Sequence, residues 1–449
     1  MMDRNRINLT AVALLMMGSY SSAFTGAGLN DRATRQVAVA SLCGTAGVPL
    51  GDSCRIASNP TITSLREHIF CGYQGWFMAR GDGFDMGFVH WGNIDGSPPK
   101  CTVDLWPDLS EYDADETFAT SYRHADGSVA RVFSSVIEKT VQRHFRWMRD
   151  YGIDGAFVQR FDVCIDPANP TWKNDRRTNT VLRNCRRAAE AAGRGFAVMY
   201  DCHFDAPACE KIQADWTRLT REMKLLESDA YIHHAGAPIV ALWGYGFDHR
   251  RFDVAATEKL FRFLRDPANG GCVIMLGLPN DWAEWSGEKE RLIREHVRVL
   301  SPWNVGRYRD ETGAERHFER YLPKDLAYCR AHAKDYLPVV FPGFSWTNLT
   351  QGKGPLGEIP RRGGRFFWKQ FETLKRFDFD TAYVAMFDEV DEGTAIFKVT
   401  NDPPVGRFVT LEGLPSDFYL RLTGLGGRML RGERVEFPKA PARSADGGK

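Results

Sequence analysis

Eight short apolar runs separated by helical patterns constrain the fold of this chain more than any other feature. They lie at residues 69–74, 155–161, 196–201, 238–243, 272–277, 303–307, 337–342 and 381–388. The last shows their character. Thr381 to Phe387 is apolar or small throughout, with no charge, Gly or Pro, and a strand buried on both faces reads that way. Amphipathic patterns near 176–193, 208–227, 255–266, 285–300, 323–334 and 362–376 predict the intervening helices. In the 285–300 segment Ile293, Val297 and Leu300 recur at helical spacing. A last helix over 415–431 is weakened by Gly424, Gly426 and Gly427. An earlier helix opens at Ser135 with Glu138 three residues on, the spacing of a capping box, and puts Ile137, Val141, Phe145 and Met148 on one face. Val132 to Val136 could pass for a further strand, but the capping box favours a helix entry.

Strands alternating with helices over about 380 residues predict an α/β fold, a (β/α)8 TIM-type barrel. A doubly wound open sheet is the alternative. Neither G-x-G-x-x-G nor G-x-x-x-x-G-K-[ST] follows the first run, where a nucleotide fold would place one. We found no internal repeat.

Barrel enzymes draw their active-site groups from strand C-terminal ends and the loops that follow. The first run ends near Tyr73, Gln74 and Trp76, and the second in Gln159 and Arg160. Asp201 closes the third, with His203 beyond it, and Trp243 closes the fourth, followed by Tyr245. Arg307 ends the sixth, Ser345 and Trp346 follow the seventh, and Asp388 ends the eighth. Aromatic rings, an Arg and acids at successive strand ends suit a carbohydrate cleft, because hydroxyls need hydrogen-bond partners and sugar faces need flat apolar surfaces. The loop from Met78 to about Ala130 is too long for an ordinary barrel connection and carries His90, Trp91 and Trp106. It is a candidate cleft wall.

The eighth run leads straight into four carboxylates, Asp388, Glu389, Asp391 and Glu392, before Gly393. Crowded like charges push one another's pKa values apart, so one carboxyl can stay protonated beside an ionised neighbour. Glycoside hydrolysis needs that combination. A solvated loop or a metal site are the other readings, although the run lacks the D-x-D-x-D-G spacing of a calcium loop.

The run Glu389-Val390-Asp391-Glu392-Gly393-Thr394 resembles the E-W-x-E-G-T signature of glycoside hydrolase family 99, the endo-α-mannosidase group. The wider stretch DEVDEGTAIF is similar to bacterial family 71/99-like proteins, and Tyr73 to Phe77 resembles their first-strand motif. The likeness spans roughly residues 65–430. It implies catalytic roles for Glu389, as the base that deprotonates the sugar 2-OH, and Glu392, as the acid/base at the glycosidic oxygen. This chain has Asp388 where the family has Asn, Val390 where it has Trp and Asp391 where it has His. The resemblance implies cleavage of an α-linked polysaccharide or glycan. We expect no cofactor and no metal. A base acting on the 2-OH escapes the carboxylate-separation rule for retention or inversion.

Composition narrows the partners. The 449 residues hold 58 Lys and Arg against 57 Asp and Glu, a net charge of +1, which gives no electrostatic case for nucleic acid or an anionic membrane. Residues 1–23 read as a signal peptide, with Arg4 and Arg6 before an apolar stretch from Ile7 to Met17 that is too short to span a bilayer. The expected location is therefore secreted or periplasmic. Residues 24–62 read as a flexible lead-in and 63–449 as the catalytic barrel. Ten cysteines are scattered without C-x-x-C. Cys43 with Cys54, and Cys202 with Cys209, lie close enough in sequence to bridge. A non-catalytic carbohydrate-binding barrel is the second functional reading. A metal-dependent hydrolase is the third, and it lacks an H-x-H on the first strand, with His233 and His234 away from any strand end.

Overall fold

The computed structural model of the protein describes residues 61–166 and 173–438. Among these, eight parallel strands form a barrel. They are β1 (Ile69–Tyr73), β2 (Gly155–Phe161), β3 (Gly195–Asp201), β4 (Ala237–Trp243), β5 (Val273–Leu278), β6 (Val299–Pro302), β7 in two pieces (Asp335–Tyr336 and Val339–Val340) and β8 (Ala382–Val384). Strands β1 to β7 pair in chain order, and β8 lies between β1 and the second piece of β7. The first piece of β7 pairs with β6 and the second with β8, so the ring closes through one broken strand. Pro338 sits at the break and has no N–H to give. Leu337 N–H still donates to Leu300 O at 2.9 Å, while Pro338 O accepts from Tyr383 N–H at 2.8 Å. The handover from one neighbour to the other falls at that proline.

Each strand is followed by a helix of the same number: α1 (Glu138–Asp150), α2 (Lys173–Ala192), α3 (Ala206–Arg221), α4 (Val254–Arg265), α5 (Glu288–His296), α6 (Glu311–Ala331), α7 (Arg365–Arg376) and α8 (Phe418–Leu430). Aspartates start three of them. Asp205, Asp253 and Asp310 accept from the backbone N–H groups of Ala208, Ala256 and Gly313, satisfying donors that the first helical turn leaves open.

Two sequence expectations are corrected. The sixth strand is Val299–Pro302, and residues 303–307 are the loop at its C-terminal end. Val297 and Leu300 fit a helical face as well as a strand, but α5 stops at His296 and pairing of Val299 and Leu300 with Met275 and Leu276 fixes the extended form. The capping box also fails to form. Helix α1 starts without a side-chain cap, and Ser135 Oγ is buried without a partner. Val129–Phe133 is instead a strand of a hairpin with Thr117–Arg123, outside the barrel.

That hairpin belongs to the long insertion between β1 and α1, which has its own aromatic core. Phe77, Trp91, Trp106 and Phe133 pack together, with ring centres of Phe77 and Trp91 4.5 Å apart. The insertion is laced to the chain after β8. Asp104 and Leu105 N–H both donate to Val390 O, and Asp108 N–H donates to Lys398 O. All eight described cysteines are free thiols, Cys202 and Cys209 included. Cys43, Cys54 and the expected signal peptide lie outside the described residues. Among the described residues no helix is long and apolar enough to cross a membrane.

Candidate active site

The paired part of β8 ends at Val384, but the chain keeps its direction to the barrel mouth. Ala385 N–H donates to Val340 O and Phe387 N–H to Gly72 O. Asp388 then turns back on β1. Its two oxygens accept the backbone N–H groups of Gln74 (2.8 Å) and Gly75 (2.9 Å). Both oxygens are spent on the backbone, so Asp388 joins the ends of β8 and β1 rather than facing a ligand. Burial pushes its pKa up to about 7, against the pull of those hydrogen bonds.

Glu389 is held from two sides. Gln74 Nε2 donates to Oε1 and Thr394 Oγ1 donates to Oε2, each at 2.5 Å. The turn returns on itself, with the N–H groups of Thr394 and Ala395 both donating to Glu389 O. Gly393 permits this with φ +62°, and a Cβ there would lie 2.9 Å from Ser345 N. Ser345 N–H donates to Glu392 O at 2.9 Å, so the turn rests against the loop after β7. The Glu392 side chain is half-buried and has no hydrogen bond among the described residues.

Asp391 lies between the glutamates and is 1% exposed. One oxygen is 3.2 Å from His90 Nδ1, and the other has no partner. His90 comes from the insertion and is stacked on Trp76, ring centres 3.9 Å apart and planes within 5°. Burial, then Arg177, hold the His90 ring well below the usual histidine range. Burial raises Glu389, Asp391 and Glu392 together. Glu392 is further raised by Glu389, Asp391 and Asp201, which places Asp201 of β3 within electrostatic reach of the same turn. Glu389 alone has two side-chain donors, which favour its ionised form. Two donors on Glu389 and none on Glu392 favour Glu389 as the first of the pair to ionise.

Asp201 is ion-paired with Arg250, and burial raises it to about 6. The Arg250 guanidinium lies over the Trp243 ring at 5.1 Å, and Trp243 also packs on Trp303. Phe161, paired with Asp201 in register, is half-buried and stacks on Trp76. Gln74, Asp201, Trp243, Phe161 and Trp303 thus accompany the acidic turn at strand ends.

Other expected site residues point elsewhere. Tyr73 is fully buried and hydrogen-bonded to His144 of α1 at 2.9 Å. Arg160 faces the helices, with a two-point pair to Asp215 of α3 at 2.6 and 2.8 Å. Losing one member of such a buried pair costs about 3–5 kcal/mol, so Arg160 serves the fold. Tyr245 is buried among Phe204, Phe252 and Phe261 and donates to Lys289 O. Side chains alternate along a strand, and that sets Arg160 outward where its neighbour Gln159 points inward. Gln159 lies in the barrel interior, its amide on Met199 Sδ and Tyr383 Oη. Trp76 is 4% exposed and stacked by His90 and Phe161, which leaves no open face for a sugar. Trp346 donates to Glu358 and packs on Phe344. His203 is engaged at both ring nitrogens by Arg251. Arg307 is half-buried in the turn after β6. Trp91 and Trp106 are core of the insertion, which meets the acidic turn through His90 and Asp104 instead.

Sequence reading missed Phe161, Trp303, His90 as the partner of Asp391, and Asp104. The carboxylate of Asp104 takes Ser345 Oγ and the N–H groups of Thr347 and Asn348. Nothing local to Asp104 announces those contacts, which span more than two hundred residues. Phe161 lies one residue beyond the polar pair Gln159 and Arg160. Among the described residues, the groups with metal-ligand spacing are Glu258 with Glu295 and His296, and Asp113 with Asp115 and Glu116. Both are engaged by Arg or Lys.

By sequence, the chain matches no protein-family model and no curated protein. By structure it is similar to the GH99 endo-alpha-mannosidase from Bacteroides thetaiotaomicron, with a TM-score of 0.58 at 13% identity over 82% of this chain and 98% of that one. The same enzyme in complex with bis-tris-propane gives 0.56 at 14% identity, covering 82% and 100%. A glycoside hydrolase-like protein gives 0.50 at 12% identity, covering 85% and 96%. The fold is a family 99-like (β/α)8 barrel.

Proposed function

We propose that this protein is a glycoside hydrolase that cleaves an α-linked polysaccharide or glycan at the turn after β8. The observation that carries the reading is the unequal treatment of two glutamates three residues apart, Glu389 buried and Glu392 half-buried. Glu389 takes two hydrogen-bond donors, and Glu392 takes none while facing three other carboxylates. A pair whose environments separate their proton affinities supplies a base and an acid at one pH. Glu389 acts as the base, on the sugar 2-OH or on water, and Glu392 protonates the departing oxygen. Phe161 and Trp303 offer apolar ring surface for sugar faces, and Asp201 and Gln74 offer hydrogen-bonding groups.

Natural glycosides leave as poor alkoxides and need the proton; a dinitrophenolate leaves without it. Glu392→Gln therefore abolishes cleavage of α-mannan or α-glucan fragments yet keeps substantial activity on a dinitrophenyl glycoside. Glu389→Gln cripples both, because acid–base help is worth about 10²–10⁴ in rate. Folded variants with unchanged rates on the natural fragments would sink the assignment.

The amino-terminal pattern supports export, to the periplasm or beyond. Protein recovered from its native host then starts near Phe24, and an amino terminus at Met1 would count against export.

A further inference from the structure

Behind the acidic turn lies a buried cation that the proposed chemistry does not use. Arg361 precedes α7 and is 5% exposed. Its Nη2 donates to Gly393 O at 2.9 Å and to Ala395 O at 2.6 Å, the carbonyls on either side of Thr394. The guanidinium carbon is 4.4 Å from the centre of the Tyr419 ring on α8. Among the described residues no carboxylate ion-pairs with it, and its Nη1 has no partner. Burial lowers its pKa. Space has been cleared for it: a Cβ on Gly343 would sit 2.7 Å from Arg361 Cγ.

A buried guanidinium with no carboxylate in direct contact, and only Glu412 acting on it from a distance, is costly, and an apolar side chain would fill this space more cheaply. Arg supplies a rigid, planar set of donors, charged at any working pH. Here one end of that set bridges two carbonyls that flank one residue. Thr394 in turn gives its hydroxyl to Glu389 Oε2, while the backbone of 394 and 395 holds Glu389 O. Residues 389–395 form a closed turn with Glu389 on one side and Arg361 on the other.

We propose that Arg361 is a positioning residue for Glu389 and acts through Thr394. The inference rests on Glu389 being the base. Without Arg361 the carbonyls of 393 and 395 lose their donor, the turn shifts, and the Thr394 hydroxyl leaves the carboxylate. Displacements of about 1 Å at a catalytic group can cost a hundredfold in rate.

The test is a double-mutant cycle of Arg361→Met and Thr394→Val, assayed on the best cleaved of α-mannan, α-glucan and arabinoxylan fragments. Each single change lowers kcat about 10- to 100-fold with little change in KM. The double variant is no slower than the poorer single one, because both remove the same link. Arg361→Lys, which keeps charge but not the fork, falls between. Should Arg361→Met fail to fold, Arg361→Lys takes its place in the cycle. Effects that multiply, or a folded Arg361 variant at wild-type kcat, overturn the proposal.

A second arm needs no substrate. Carbon-13 carboxyl NMR of labelled glutamates, with Glu389→Gln assigning the resonance, follows the titration of Glu389. Its midpoint rises in Arg361→Met and in Thr394→Val, with no further rise in the double variant. The ionisable groups facing this turn, besides Arg361, are Asp388, Asp391 and Glu392 on the turn itself, Tyr383 of β8, His90 and Asp104 of the insertion and Asp201 of β3. All are untouched by these substitutions. An unmoved midpoint overturns the proposal even if activity falls. If Glu389→Gln keeps full activity, the functional reading fails; if it is inactive while the cycle is additive, only the role of Arg361 fails.

Discussion

Glu389, Asp391 and Glu392 share one turn and differ in both depth and partners: the first two are buried and Glu392 is half-buried. Asp391 is the member with no assigned step. It raises both glutamates by charge, and its own contact is the imidazole of His90. With Asp391→Asn, a negative neighbour is lost, so the proton affinities of Glu389 and Glu392 both fall. The limb of the pH–rate profile set by ionising the base moves to lower pH, and so does the limb set by losing the acid. The whole profile of kcat/KM shifts acidward. An unmoved profile would mean that Asp391 is already neutral in the native protein. At this scale the sequence displayed the acidic turn, since a charge-free run ending in four carboxylates is conspicuous. It did not display which strand-end side chains face the mouth. Arg160 and Gln159 are adjacent and equally polar, and only the register of β2 against β3 sends one to the helices and the other inward.

Among the elements, the long apolar and amphipathic stretches were legible and the short ones were not. β2, β3 and β4 were placed to within a residue because their apolar runs have one structural solution. β6 was not, because Val297 and Leu300 satisfy both periods and the deciding contact is with β5, more than twenty residues away. The start of α1 was read from a local motif that tertiary structure overrides: Ser135 N–H is taken by Phe77 O, and the capping bond never forms. The insertion was visible as a length anomaly. Its internal hairpin was hidden because Val129–Phe133 pairs with another insertion strand rather than with the barrel.

At the scale of the whole molecule, eight alternating units were enough to predict the barrel, since a parallel strand needs a crossover and a ring leaves no open edge. How the ring closes was not predictable, because it depends on two residues of β7 on either side of Pro338. That break gives the barrel a seam. β2 and β3 are joined along their full length, from Gly155 to Phe161, whereas β7 offers two residues to each neighbour. Local opening follows the weakest joint. Native-state hydrogen exchange is therefore expected to be slowest in β2 and β3 and fastest, among barrel strands, in β7 and the facing part of β8; uniform protection around the ring would refute it. The strand that carries the acidic turn borders that seam. The wall that carries the acidic turn is thus the one expected to give way first, and the clasp of the insertion on Val390 braces it from outside.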